Sequence, residues 1–140
     1  MSDVFVDTNV LVRVLNKEEN YRDTIKSLAA IKVNSFNFKM SCIVHFEILW
    51  GFSLYGGDVK KYENIIKKFE FELTPLTKED VELASKYCKN KSQVRDCFIG
   101  ATTKNREGIL LTYNVSDFKW VDKVYTPEEF VENSIKQTGE

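Results

Sequence analysis

The chain has one histidine, His45, and no G-x-S-x-G stretch. A serine or cysteine hydrolase would have to work with that single imidazole, so such chemistry is disfavoured. The glycine-rich P-loop pattern is absent too. Cysteine is scarce: Cys42, Cys88 and Cys97 are odd in number, scattered and outside any C-x-x-C pattern, which supports neither a zinc site nor a disulfide framework. The expected compartment is therefore the reducing cytoplasm. No apolar run approaches the ~18 residues of a membrane span, and no charged-then-apolar leader opens the sequence, so neither membrane insertion nor export is expected. Linkers, repeats and low-complexity segments are also missing. The net charge of −1 neither announces nor excludes a nucleic-acid partner, since a local basic surface can coexist with an acidic pocket.

What is present fits one soluble domain spanning 1–140. That length can bury a real core, and 43% hydrophobic with 29% charged residues is a globular rather than a disordered balance. Residues 3–7 read as a short buried strand. Helical spacing follows over 8–16 (Val10, Leu11, Val14, Leu15) and over 21–33 (Ile25, Leu28, Ala29, Val33). "FKMS" at 38–41 is a weak strand. The next helix places Ile43, Phe46, Trp50 and Leu54 on one stripe and breaks at Gly56-Gly57. For most of its aromatic residues core packing is the favoured reading, with a dimer or partner surface as the other. A helix over 58–70 carries Val59, Tyr62, Ile65, Ile66 and Phe69 on one face, and "FELTPL" exits through a strand.

Thr77-x-x-Asp80 has the form of a capping box opening a helix to about 89, and Ser92 is a candidate cap for the next, to about 106. "GILLT" at 108–112 is the second clear apolar strand, and Val124-Tyr125 a last short one. Thr126-Pro127-Glu128-Glu129 combines cap, proline and glutamate at helix-start spacing. Strands separated by helices predict an α/β fold: a small parallel sheet of four to five strands flanked by helices. Sites in such sheets lie beyond the carboxyl ends of the strands.

Four acids stand out against that frame. Asp7 follows the first strand and reads equally as a helix cap or as a working carboxylate, with Thr8 and Asn9 also able to cap. Glu47 lies four residues after Ile43 and three before Trp50, on or beside an apolar stripe; it is either a boundary residue paired with a lysine or arginine, or a ligand. Asp96 sits near a helix start, favourable for a carboxylate in itself, but beside Cys97, Phe98, Ile99, Gly100 and Ala101. Asp117 belongs to the polar turn after "LLT". Two of the four follow strand ends and two come from helices that pack on the sheet, so all four can converge on one pocket. Unpaired, they would repel and their pKa values would rise. Mg²⁺ or Mn²⁺ relieves this, and such ions activate water, orient a phosphate and stabilise a departing oxygen.

The stretches "VDTNVLV", "SCIVHFEILWG" and "RDCFIGATTKNREGILLTYNVSDF", in that order, resemble the PIN-domain family, in particular its small VapC-like toxin ribonucleases. Gly100 departs from the pattern, where alanine is commoner. The resemblance implies a PIN-like three-layer architecture and Mg²⁺- or Mn²⁺-dependent cleavage of RNA. It also implies a homodimer and a small antitoxin partner. It makes Asp7, Glu47, Asp96 and Asp117 the acidic quartet, with Thr8, Asn9, Thr112 and Asn114 as hydrogen-bonding support. Arg95, Lys104, Arg106 and Lys119 are RNA-contact candidates by sequence proximity alone, and solvated surface charge is their other reading.

Rival readings are a housekeeping PIN nuclease of RNA processing and a non-catalytic PIN-like binding module. A phosphoryl-transfer enzyme is disfavoured because D-x-D is missing where Asp7-Thr8-Asn9 stands.

Overall fold

A computed structural model describes residues 3–135. Its frame is a sheet of five strands, all pairing in parallel: β1 (Asp3–Val6), β2 (Asn37–Ser41), β3 (Glu72–Thr74), β4 (Ile109–Leu111) and β5 (Val124–Tyr125). The spatial order is β3-β2-β1-β4-β5. Parallel neighbours need crossovers, which are helical. They are α1 (Thr8–Leu15) and α2 (Tyr21–Val33), then α3 (Cys42–Tyr55) and α4 (Val59–Lys68), then α5 (Lys78–Tyr87) and α6 (Val94–Asn105). After β5, α7 (Pro127–Phe130) continues into a π-helical turn, Val131–Ile135. The expected α/β fold is what forms.

Val4, Phe5 and Val6 of β1 and Ile109, Leu110 and Leu111 of β4 are all buried. Successive strand residues point to opposite faces, so helices cover the sheet on both sides at its centre. Phe5, Leu11, Leu28, Phe38, Ile99 and Phe118 anchor that core.

Local signals set most boundaries. Thr77 and Asp80 form the capping box of α5 and Thr126 with Glu129 that of α7, each with Thr Oγ accepting from the third residue's N–H and the acid accepting from the cap's N–H. Gly56, at φ +77°, closes α3 where an L side chain would be strained. Three expectations need correction. Ser92 does not cap α6: Asn90 accepts from Ser92 N and starts a 3₁₀ turn, Lys91–Gln93, that leads into α6. Val33 and Val59, placed on apolar faces by spacing, are exposed because each lies at a helix end beyond the packed stripe.

The third correction concerns α3, which buries Val44 and Ile48 while Phe46, Leu49, Trp50, Leu54 and Tyr55 remain exposed. The stripe taken for core is an uncovered surface. The helix is apolar all round, so periodicity could not say which face packs.

Candidate active site

The strand order reverses between β1 and β4, because β2 and β3 extend the sheet to one side of β1 while β4 and β5 extend it to the other. A crevice forms at the carboxyl ends of strands at such a point. Asp7 leaves β1 there, and its N–H still pairs with Leu111 O at 3.0 Å. Its carboxylate is almost fully buried, 4% exposed. Oδ1 accepts from Thr8 N at 2.7 Å, and Oδ2 accepts from the Thr112 hydroxyl at 2.8 Å and from Asn9 Nδ2 at 3.4 Å. Asp7 is thus itself the N-cap of α1. The alternatives in the sequence, cap or working carboxylate, do not exclude each other, and Thr8 and Asn9 do not relieve it of capping.

Thr8 instead donates from its hydroxyl to Glu47 Oε1 at 2.7 Å. Asn9 donates to Thr112 Oγ1 at 3.2 Å and accepts from Tyr113 N at 3.2 Å, tying α1 to the end of β4. Thr112 Oγ1 also accepts from Asn114 N at 3.0 Å. Asn114 therefore takes part through its backbone, and its carbonyl accepts from Asp117 N at 3.0 Å to shape the 3₁₀ turn Val115–Phe118.

Glu47, on α3, has its second oxygen 3.1 Å from Arg95 Nη1, and its side chain is 15% exposed. Glu47 is thus an ion-paired boundary residue, and its charge also pushes up the pKa values of Asp7 and Asp96. Asp96 lies in the first turn of α6, half-buried. Burial pushes its pKa up, the charges of Asp117 and Glu47 add to this, and Arg95 opposes. Asp7 is raised from 3.8 to about 6, chiefly by burial; hydrogen bonds from Thr112 and Thr8 pull down, while Asp96 and Glu47 push up. Asp96 thus feels the charges of Glu47 and Asp117, and Asp7 those of Asp96 and Glu47. Asp117 is exposed and lines a cavity with Asp96.

The donor set suits a hard divalent cation: carboxylate oxygens, two with raised pKa values and like charges facing one another. Among the described residues, however, no three His, Cys, Asp or Glu side chains already stand close enough to enclose an ion. Glu47 has both oxygens engaged, by Thr8 and Arg95, so an ion would have to compete for it.

The basic candidates divide. Lys119 lines the cavity with Asp96 and Asp117. Arg95 is at the site but pairs with Glu47 and lies over the Trp50 ring, 5.8 Å from its centroid. Lys104 and Arg106 do not reach it. Lys104 is held by Asp122 at 3.1 Å near Gly108, at the start of β4. Arg106 binds the fully buried Asp80 at 2.9 Å and Thr102 O at 2.7 Å. Both sit at the C-terminal end of α6, a helix length from Asp96, which proximity in sequence conceals. Tyr87, Lys89 and Trp120 also line the acid-side cavity. Sequence reasoning passed them over, and the only available signal was that Trp120 follows Asp117 by three residues.

The chain matches the PIN domain over residues 4–124 and so belongs to the PIN-domain family. Among solved structures, it resembles a chain of a toxin–antitoxin complex from Klebsiella pneumoniae, with TM-score 0.66 and 22% identity over 90% of this chain and 98% of that one. It resembles a chain of FitAcB from Neisseria gonorrhoeae at TM-score 0.66 and 20% identity, covering 89% and 97%. A chain of VapBC2 from Rickettsia felis, bound to a DNA fragment from its promoter, aligns at TM-score 0.63 and 17% identity, covering 87% and 96%. At these identities the likeness is one of fold. No curated protein matches the chain significantly. No described helix is long and apolar enough to cross a membrane.

Proposed function

We propose that this chain is a divalent-metal-dependent endoribonuclease that hydrolyses RNA phosphodiester bonds, the toxin of a toxin–antitoxin pair. The carrying observation is that acids gather where the strand order reverses: buried Asp7 is pushed up by the charges of Asp96 and Glu47, and Asp96 by those of Asp117 and Glu47. Such a group of acids is costly to the fold and finds its use in holding a cation. Bound Mg²⁺ or Mn²⁺ supplies Lewis-acid stabilisation of a phosphoryl oxygen and activation of water. The chain's own part is to hold and orient. Asp7 and Asp96 would be the principal ligands and Glu47 and Asp117 would complete the set, while Thr112 and Asn9 fix the Asp7 carboxylate. His45, hydrogen-bonded through Nδ1 to Tyr62 Oη at 2.7 Å, packs rather than acts as a base.

The toxin assignment follows the family and the complexes in which similar folds occur. On this reading a single PIN domain works in the cytoplasm, pairs with a second copy of itself and is covered by a small antitoxin. The exposed apolar face of α3 offers a surface for such contacts.

One observation favours a non-catalytic module: Arg95 already neutralises Glu47. The test is cleavage. Asp7→Asn and Asp96→Asn are each expected to abolish Mn²⁺-dependent RNA hydrolysis with circular dichroism unchanged. Undiminished cleavage by both variants, prepared free of contaminating nuclease, would sink the proposal, and an inert wild-type protein would leave the binding module.

A further inference from the structure

The cavity beside Asp96 and Asp117 has a volume of about 460 Å³, and the acid chemistry accounts for only part of its lining. The lining also includes Tyr87 and Trp120, stacked with centroids 4.4 Å apart and planes 11° from parallel. Lys89 and Lys119 also line it. Among the described residues neither lysine has a carboxylate within ion-pair distance, unlike Lys104 and Arg106. Trp120 can lie there because of Gly100. A Cβ at that position would meet the indole Cη2 and Cζ2 at 2.6 Å, so the ring takes the space a methyl group would fill. The place where the sequence departs from the commoner alanine is thus the place that admits the aromatic wall.

The lining is two-sided in its chemistry. Lysines without partners attract phosphate oxygens. Aromatic faces stack on any base, provided its own faces are free. The volume falls within the roughly 300–1,000 Å³ of small-ligand sites, room for one nucleotide. Asp96 and Asp117 border the same space, so a nucleotide seated there places its backbone beside them. A base paired in an A-form helix is stacked on both faces and cannot do this, whereas an unpaired one can be splayed out.

We infer that this cavity seats one unpaired nucleotide of the RNA strand next to the bond that is cut, its base against the Tyr87–Trp120 stack and its phosphates against Lys89 and Lys119. The inference rests on the ribonuclease reading above and assigns particular residues to one nucleotide of its substrate. Tyr87, Lys89 and Trp120 become substrate-binding residues, and Gly100 a positioning residue that acts through Trp120.

Trp50 and Trp120 are the only two tryptophans of the chain, so Trp50→Phe leaves Trp120 as the sole indole reporter. In EDTA, where metal-dependent cleavage is silent, this variant is titrated with a short single-stranded oligoribonucleotide and with the same sequence as a duplex. The single strand is expected to quench Trp120 fluorescence and the duplex is not. Tyr87→Leu is expected to weaken binding about tenfold, as for one lost base–aromatic stack. Replacing both lysines by glutamine should lower the slope of log affinity against log salt by roughly 1.4, about 0.7 for each lost phosphate contact on a single strand.

In Mn²⁺ the same substitutions should raise KM while kcat holds. The lysines are exposed, so their replacement leaves the fold intact. Binding without quenching, an unchanged salt slope, equal quenching by duplex, or no binding at all would each overturn the inference. The ribonuclease reading is judged separately, by whether the unaltered protein cleaves RNA in Mn²⁺.

Discussion

Asp7 caps a helix and joins an acid cluster with the same carboxylate, so its proton affinity reports on both uses. In the metal-free protein its pKa is about 6 against an ordinary 3.8. The folded state then binds this proton more tightly than the unfolded state, so Asp7's contribution to stability falls as pH rises from about 4 to about 6, by roughly 3 kcal/mol at most. Asp96, raised by burial and by Asp117, acts in the same direction. Urea unfolding in EDTA at pH 4.5 and pH 7 checks this through the difference between proteins. Relative to wild type, Asp7→Asn should be more stable at pH 7 than at pH 4.5. An identical pH dependence in the two would mean that the carboxylate is not held at a raised pKa. Excess Mn²⁺ at pH 7 should shift the difference back toward wild type, since a ligand at a hundredfold its dissociation constant adds about 2.7 kcal/mol to the protein that binds it.

At the scale of the element, α6 has opposite tasks at its ends. Its first turn presents Asp96 to the site, and its last residues hold a buried acid of α5. Burial alone would raise the pKa of Asp80, but hydrogen bonds from Arg106, Asn105 and Thr77 N prevail and hold it below the ordinary value. Removing Arg106 leaves that carboxylate enclosed with less compensation. Arg106→Ala should therefore cost on the order of 3 kcal/mol of stability. It should leave cleavage per folded molecule unchanged, because Arg106 is remote from the acid cluster. A large activity loss without a drop in urea midpoint would return Arg106 to the list of RNA contacts.

The elements also show what was legible in advance. The capping boxes at Thr77 and Thr126 could be read because both partners lie within four residues of sequence. The acids of the candidate site could be singled out because they stand at strand ends or in apolar surroundings, where a charge needs a reason. The start of α6 was not, because Asn90 and Ser92 are both competent caps and only the 3₁₀ turn between them decides. Nor was the uncovered side of α3, or the approach of Tyr87 to Trp120. Each depends on which helix faces which, and a helix that is apolar all round, or a single aromatic in a loop, carries no record of that.

Over the whole molecule, the strand order gathers the acids at one edge and leaves one apolar face of α3 uncovered nearby. The two are joined: Arg95 bridges them, pairing with Glu47 on one side and lying over Trp50 on the other. Phe46 and Trp50 stack at 5.8 Å, and with Leu49 and Leu54 they form a surface that water covers poorly. Aromatic pairs of this kind are the common anchors of protein interfaces. If the proposed second copy docks here, the wild-type protein should sediment as a dimer at micromolar concentration. Phe46→Ser with Trp50→Ser should then weaken self-association at least about a hundredfold, near 3 kcal/mol, by removing two buried anchors. The melting temperature should hold, since neither ring belongs to the buried core. Wild-type protein that stays monomeric at tens of micromolar, or a variant that dimerises as before, would assign the face to another partner. Because Arg95 spans both surfaces, the same variant should also change RNA cleavage.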